Sequence, residues 1–398
     1  MISAFSNTFY KEIQEELNAI KYYWVTNSVD SKNGGFLGRR NFYNTPLPLS
    51  PKGIILNTRL LWSFSAIANF QNSDELLPIM HRSFNYLYQK FRDSTHGGVY
   101  WELDAYGEPV IKKKQIYAQA FTIYALSEYY IKTNKQQAKQ WALEVFELIE
   151  HHANDSDTGG YIEAFKEDWS PITDMRLSDK DQNAAKTMNT HLHILEAYSS
   201  LYKIAPSQKL QTALKNLLGL FTERFLNQDY NFELFFDKNW NLTSNQISFG
   251  HDIETLWLVI EAAKTIDDQT LIKKTEHIAL PIADRFLELG YIKHGGVLNE
   301  VNRETNHIDS DRHWWPQAEA MVGLLYAYSI SRNSHYKSAI LDIWMFTKKY
   351  IIDSVNGEWH FRIDSDFTPY TSENKLGMWK CPYHNTRACI QLLKNQLL

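Results

Sequence analysis

A glycine-centred turn recurs along this chain at nearly constant spacing, and no other feature restricts the fold as strongly. HGGV occurs at His96–Val99 and again at His294–Val297. Related turns lead into short aromatic or apolar segments at Asn33–Arg39 (NGGFLGR), Thr158–Phe165 (TGGYIEAF) and Asn356–Asp364 (NGEWHFRID). Their first glycines fall at 34, 97, 159, 295 and 357, giving steps of 63, 62, 136 and 62. The double step predicts a sixth copy near residue 228, where Asn227–Trp240 (NQDYNFELFFDKNW) stands without a Gly-Gly pair. A fixed period of this kind is the mark of a repeat architecture.

Each interval between turns holds two segments of helical period. The first members are Gly53–Phe70, Ile116–Lys132, Met188–Ile204, Phe249–Ile266 and Trp314–Ser331. Their partners are Glu75–Phe91, Gln137–Ala153, Lys209–Phe225, Ile272–Leu289 and Tyr336–Ile352. The last segment, Tyr383–Leu397, pairs with the N-terminal Phe9–Val25, which makes twelve helices. First members are apolar or small nearly all round, as in FTIYALSEYY, and so must be buried on most sides. Second members carry a charged face. An inner ring of six and an outer ring of six satisfies both patterns. The expectation is an all-α, single (α/α)6 barrel spanning 1–398, with short β-like hairpins at one mouth.

Bulk properties narrow the function. A net charge of −5 gives no basic footprint for nucleic acid. No stretch approaches the roughly 18 consecutive apolar residues that a membrane helix needs, and the N-terminus does not read as a signal peptide. Cys381 and Cys389 cannot staple a chain of 398 residues, so a reduced, cytoplasmic setting is expected. Aromatic residues make up 14% of the chain, a richness that suits a carbohydrate site as well as a large core.

Because the hairpins precede the inner helices, the inner N-termini gather at one mouth, and the reactive side chains concentrate there. Arg59 lies in the first inner segment and Tyr117 opens the second. Asn189, His191 and His193 begin the third; His251, Asp252 and Glu254 begin the fourth. Trp314, Trp315 and Glu319 begin the fifth, while Trp379, His384 and Arg387 mark the sixth. Residues three or four apart share a helix face, so Asn189 with His193, His251 with Glu254, Trp315 with Glu319, and His384 with Arg387 form couples. His191 and His193 are two apart and face different sides; only one can enter the cavity. No H-E-x-x-H or C-x-x-C spacing occurs, and no metal ligand set is expected. A lone histidine on an apolar helix is ordinarily a packed core residue. Histidines on three helices at the same end of one cavity favour chemistry instead. The helix dipole there opposes protonation, and a neutral imidazole beside a site that welcomes negative charge suits proton abstraction next to a carbonyl.

Four longer motifs sharpen this. Met188–Tyr198 (MNTHLHILEAY), Phe249–Leu258 (FGHDIETLWL), His313–Ala320 (HWWPQAEA) and Met378–Arg387 (MWKCPYHNTR) resemble those of cellobiose 2-epimerases, within the N-acylglucosamine 2-epimerase superfamily. The resemblance runs from Asn57 to Arg387. It implies an (α/α)6 barrel, no cofactor, a disaccharide substrate and a monomer. It makes His251 and His384 the acid/base pair at C2 of the reducing sugar, with His193 and Arg59 on the carbonyl oxygen. The choice of His193 over His191 rests on its spacing and its Asn189 neighbour. The resemblance also implies pocket roles for Tyr117, Asn189, Glu254, Trp257, Trp314, Trp315 and Glu319, a stacking role for Trp379, and contact of Asp181 with the second sugar. Three alternatives stand beside it: an aldose–ketose isomerase of the same superfamily, an inverting glycoside hydrolase using Glu254 and Glu319, and a non-catalytic sugar-binding protein.

Overall fold

A computed structural model describes residues 2–397, with side chains from residue 7 onward. Twelve α-helices occupy the described residues. The even-numbered ones are α2 (Ile54–Gln71), α4 (Ile116–Thr133), α6 (Met188–Ile204), α8 (Phe249–Thr265), α10 (Trp314–Ser331) and α12 (Tyr383–Asn395). The odd-numbered ones are α1 (Ile2–Asn27), α3 (Leu77–Tyr86), α5 (Gln136–His152), α7 (Gln208–Leu220), α9 (Gln269–Leu289) and α11 (Ser334–Phe346). Among the described residues no helix is long and apolar enough to cross a membrane.

The two sets sort as the hydropathy pattern requires. In α2 every residue from Ile54 to Ala68 is buried, whereas α5 and α9 bury one stripe. Each even helix packs on the next, and α12 packs on α2, so the inner six close into a ring. The odd helices lie outside, with α1 against α12. The architecture is an (α/α)6 barrel.

Short strands stitch the mouth. The strand before each inner helix pairs with the hairpin one repeat further on. Lys52–Gly53 pairs with Glu102–Leu103, Lys114–Gln115 with Ala164–Phe165, and Lys186–Thr187 with Phe235–Phe236. Gln246–Ser248 pairs with Glu300–Asn302, and Arg312–His313 with Arg362–Ile363. A bridge between Arg40 and Leu376 supplies the sixth link and joins the first hairpin to the segment before α12.

All six turns are present, including the one without glycines. Its strands meet at Leu226 and Phe232, and Tyr230 takes the left-handed conformation (φ 62°). The Asn227 side chain holds this turn by accepting from the N–H groups of Asp229 and Asn231. Glycine is required where space is short as well: at Gly98 (φ 71°) a Cβ would meet the Gln119 amide oxygen at 2.7 Å, whereas His294 and Glu358 hold similar angles (φ 61° and 62°) in the fifth and sixth turns. An ion pair that the repeat pattern alone does not reveal locks four of the turns. Lys52, Lys114, Lys186 and Lys375 are buried against Asp30, Asp93, Asp155 and Asp353, at 2.6–2.9 Å.

Candidate active site

The repeat sets the register of the site. The sixth residue of α2, α4, α6, α8 and α10 is Arg59, Phe121, His193, Glu254 and Glu319 respectively. The fourth residue of α4, α6, α8 and α10 points instead to the turn behind it. Gln119 and Gln317 each bind the N–H and C=O of the turn valines Val99 and Val297. Asp252 accepts from the Phe232 N–H at 2.8 Å. His191 occupies the same place. Its Nε2 accepts from the Tyr161 N–H at 2.9 Å, and its Nδ1 lies 2.7 Å from the Thr187 carbonyl oxygen. Both ring nitrogens are used, so His191 is a turn anchor. His193 is the member of the pair that faces the cavity, where its ring meets Tyr117 (4.9 Å) and Phe121 (4.7 Å).

The imidazoles of His193, His384 and His251 form one chain of ring contacts. His193 approaches Tyr383 (6.4 Å), Tyr383 touches His384 (4.7 Å), His384 meets Trp315 (5.5 Å), and Trp315 meets His251 (4.8 Å). Each of the three engages its Nδ1. His384 Nδ1 lies 2.7 Å from Glu319 Oε1, His251 Nδ1 is 2.7 Å from the Ser248 hydroxyl, and His193 Nδ1 is 3.1 Å from Glu196 Oε2. Among the described residues no protein group bonds any of the three Nε2 atoms, which remain available to a ligand. Burial, with His193 as a lesser contributor, pushes His251 down to about 3. Burial first, then Arg59 and Arg387, pushes His384 well below the usual imidazole range. Both rings are neutral bases at pH 7. The sequence reading expected that direction but assigned it to the helix dipole; loss of water is the larger cause.

Arg387 is the centre of the wall behind these rings. It donates to Glu196, Glu254 and the Tyr383 hydroxyl, and to Glu319 Oε1 at 2.7 Å. Its guanidinium lies 4.7 Å from the Trp257 ring, and the Trp257 N–H donates to Glu319 Oε2 at 3.2 Å. Burial and repulsion by Glu319 raise Glu254 to about 7, against the pull of Arg387. Glu196 would also be raised by burial, but Arg387 and His193 hold it at about 2. Glu254, Glu319 and Trp257, expected among the pocket residues, therefore stand behind the imidazoles, fully enclosed and mutually paired. Trp314 is likewise a wall residue, packed on Phe361 (4.8 Å) with its edge toward His384 (6.3 Å). An inner helix that is apolar all round gives no sequence signal for front or back, which is why these four were not separable.

Other expected residues do border the cavity. Arg59 donates to the Tyr117 hydroxyl at 2.7 Å and lies over Phe121 (4.3 Å) and Tyr383 (4.8 Å). Its Nε is buried without a partner, as is Oδ1 of half-buried Asn189. Asn189 makes no bond to His193, whose partner is Glu196. Half-buried Trp315 and Trp379 expose ring surface; Trp379 sits 6.1 Å from Trp101 and 6.0 Å from Tyr117. Asp181 lies in the long third linker (166–185, against 104–113 in the second repeat). Its Oδ2 caps its own loop by accepting from Ser178 N–H and hydroxyl, both at 2.8 Å. Gln115 and Gln182 tie that loop to neighbouring hairpins.

Sequence reasoning missed Glu196, Ser248, Tyr383 and Trp101. Glu196 and Ser248 each stand three residues from a cavity histidine, and the rule that coupled His251 to Glu254 would have found both. Two groups among the described residues bring three metal-capable donors within 4.8 Å: Asp93–His96–Glu167 and Glu254–Glu319–His384. Lys114 already neutralises the first and Arg387 the second, so neither donor set fits a cation.

Known proteins match this arrangement closely. Residues 35–388 fit the family model of N-acylglucosamine 2-epimerase. A cellobiose 2-epimerase from Bacteroides fragilis is 44% identical over 387 residues, 96% of this chain and 98% of the relative. One from Dictyoglomus turgidum is 38% identical over 386 residues, 96% and 97% of the two chains. The solved cellobiose 2-epimerase of Bacillus thermoamylovorans B4167 superposes with a TM-score of 0.93 at 34% identity, covering 98% of this chain and 99% of its own. With the barrel, its mouth and its buried network all in place, the chain belongs to the N-acylglucosamine 2-epimerase family, in the branch of the cellobiose 2-epimerases, and is an isomerase acting on carbohydrates.

Proposed function

We propose that the protein reversibly epimerises C2 of the reducing-end glucose or mannose in β-1,4-linked disaccharides, converting cellobiose to glucosylmannose. The observation that carries this reading is that three imidazoles lie along one run of ring contacts, each tied through Nδ1 and each without a protein partner on Nε2 among the described residues. The names of its relatives, cellobiose 2-epimerases at 44% and 38% identity, support the substrate class.

The chemistry makes three demands. The pyranose ring opens when an acid protonates the ring oxygen and a base takes the proton of the anomeric hydroxyl, so that the C1–O5 bond breaks as the carbonyl forms. The C2 proton then leaves, giving an enediolate, and a proton returns on the opposite face. Histidine can act as acid or base within one cycle, and such transfer contributes typically about 10²–10⁴-fold. His251 and His384 take these roles, their depressed proton affinity keeping them free to accept. Arg59 holds the oxygen that becomes anionic, and one such donor is worth roughly 3–4 kcal/mol in other enzymes; His193, whose Nε2 carries the lone pair, exchanges a proton with that oxygen. Trp379 and Trp315 offer faces for the sugars, and Tyr117, Asn189 and Asp181 offer polar contacts.

An inverting hydrolase would need two carboxylates about 6.5–9.5 Å apart across the scissile bond. Glu254 and Glu319 instead share one Arg387 nitrogen and cannot reach a substrate between them. The same proposal has the protein act as a monomer in the cytoplasm, without metal or redox cofactor.

NMR product analysis in deuterated buffer with cellobiose, mannobiose, lactose and N-acetylglucosamine tests the reading. Deuterium at C2 of an epimerised disaccharide is expected. A mainly ketose product identifies an aldose–ketose isomerase, and released monosaccharide identifies a hydrolase; either overturns it.

A further inference from the structure

Glu196 is the one buried carboxylate of the site whose position follows from none of the roles assigned above. It lies on α6, one turn beyond His193, with its side chain enclosed. Every neighbour it meets is a donor. His193 Nδ1 is 3.1 Å from Oε2, the Tyr383 hydroxyl is 2.6 Å from Oε1 and 2.5 Å from Oε2, and the Arg387 guanidinium closes the set. Burial disfavours the charge, but Arg387 and His193 outweigh it and keep the group a carboxylate at neutral pH.

A carboxylate can only accept. We propose that Glu196 is a positioning residue that fixes the hydrogen of His193 on Nδ1 and so dictates what Nε2 can offer the substrate oxygen. The inference rests on the epimerase reading, because only there does His193 face a reacting oxygen. Arg387 and Tyr383 also grip Glu196, which holds the carboxylate against the ring. Tyr383 in turn touches His384, so the same carboxylate couples the two imidazoles through one phenol. Which ring nitrogen carries the hydrogen is set by the bond that the other makes, and here the geometry leaves a single choice.

The test reads the tautomer and the kinetics separately. In wild-type protein with ¹⁵N-labelled histidine, the His193 signals are assigned by their loss in His193→Asn. They should show a protonated Nδ1 between pH 6 and 8. A hydrogen on Nε2 alone would overturn the inference, whether or not any variant folds. Glu196→Gln keeps the size but can present an amide N–H to Nδ1. It should mix the tautomers and lower kcat about 10- to 100-fold, the usual cost of losing a ligand-orienting partner, with KM changed less than about 3-fold. An unchanged tautomer with kcat within about 2-fold of wild type would also overturn it. Wild-type protein inactive on every sugar sinks the epimerase reading instead, and leaves the tautomer measurement standing.

Discussion

The Nδ1 atom of His384 lies 2.7 Å from Oε1 of Glu319, although 65 residues separate them in the chain. Three donors converge on that carboxylate: His384, the Trp257 N–H and Arg387. Burial raises Glu319 above its ordinary range, yet the surrounding donors favour its charged form. The imidazole is thereby held with a hydrogen on Nδ1 and a lone pair on Nε2, the form that can take a proton from carbon.

Glu319→Gln should therefore fail in chemistry and not in folding. An amide nitrogen turned to Nδ1 forces the hydrogen onto Nε2, and the base is lost. We expect kcat on cellobiose to fall by about 10²-fold or more, with a far-UV spectrum like that of the wild type. A kcat within about 3-fold of wild type would remove Glu319 from this role.

His191 and His193 should separate cleanly despite standing two residues apart. Gln317 already makes the pair of bonds that His191 makes, one to a turn N–H and one to the carbonyl four residues back. His191→Gln should keep epimerase activity within about 3-fold. His193→Asn should lose about 10²-fold or more. Steady-state rates on cellobiose, compared side by side, decide it.

The same replacement should flatten the acid side of the stability profile. Burial pushes His191 down to about 4, whereas an unfolded histidine titrates near 6.5. The folded state thus binds fewer protons, and stability falls as pH drops from about 6.5 through 4. At pH 5 the contribution is roughly 2 kcal/mol. Melting curves at pH 7 and pH 5 should show a smaller loss for His191→Gln than for wild type; an equal loss would mean that the ring is solvated.

The fourth turn carries strain that the first, second, third and sixth relieve with glycine at the matching position. Tyr230 holds φ at 62°, a conformation that costs an ordinary residue roughly 1–2 kcal/mol. Tyr230→Gly should raise the melting temperature, while the β-branched Tyr230→Val should lower it. The reverse order would place the strain elsewhere.

Much of this molecule was legible because it repeats. Five glycine turns located the sixth, Tyr230 notwithstanding, and the alternation of all-apolar and one-faced helices separated the rings. The side of a cavity helix was harder to read. His193 and Glu196 are three apart, as are His251 and Glu254, but within a helix buried all round that spacing cannot say which carboxylate supports which ring. Arg387 was visible as a neighbour of His384; its grip on Glu196, Glu254 and Glu319 depends on four helices meeting and leaves no local trace. The lysine–aspartate locks were hidden for another reason. Lys52 follows Asp30 by 22 residues, but Lys186 follows Asp155 by 31, because the long third linker breaks the interval.

The bridge from Arg40 to Leu376 gives the barrel a property that open arrays of helices lack. With its two extremities sewn together, no repeat is first or last, and none needs a polar cap against water. Where synthesis starts is a matter of genetic bookkeeping, while the circle of six decides which side chains meet in the middle.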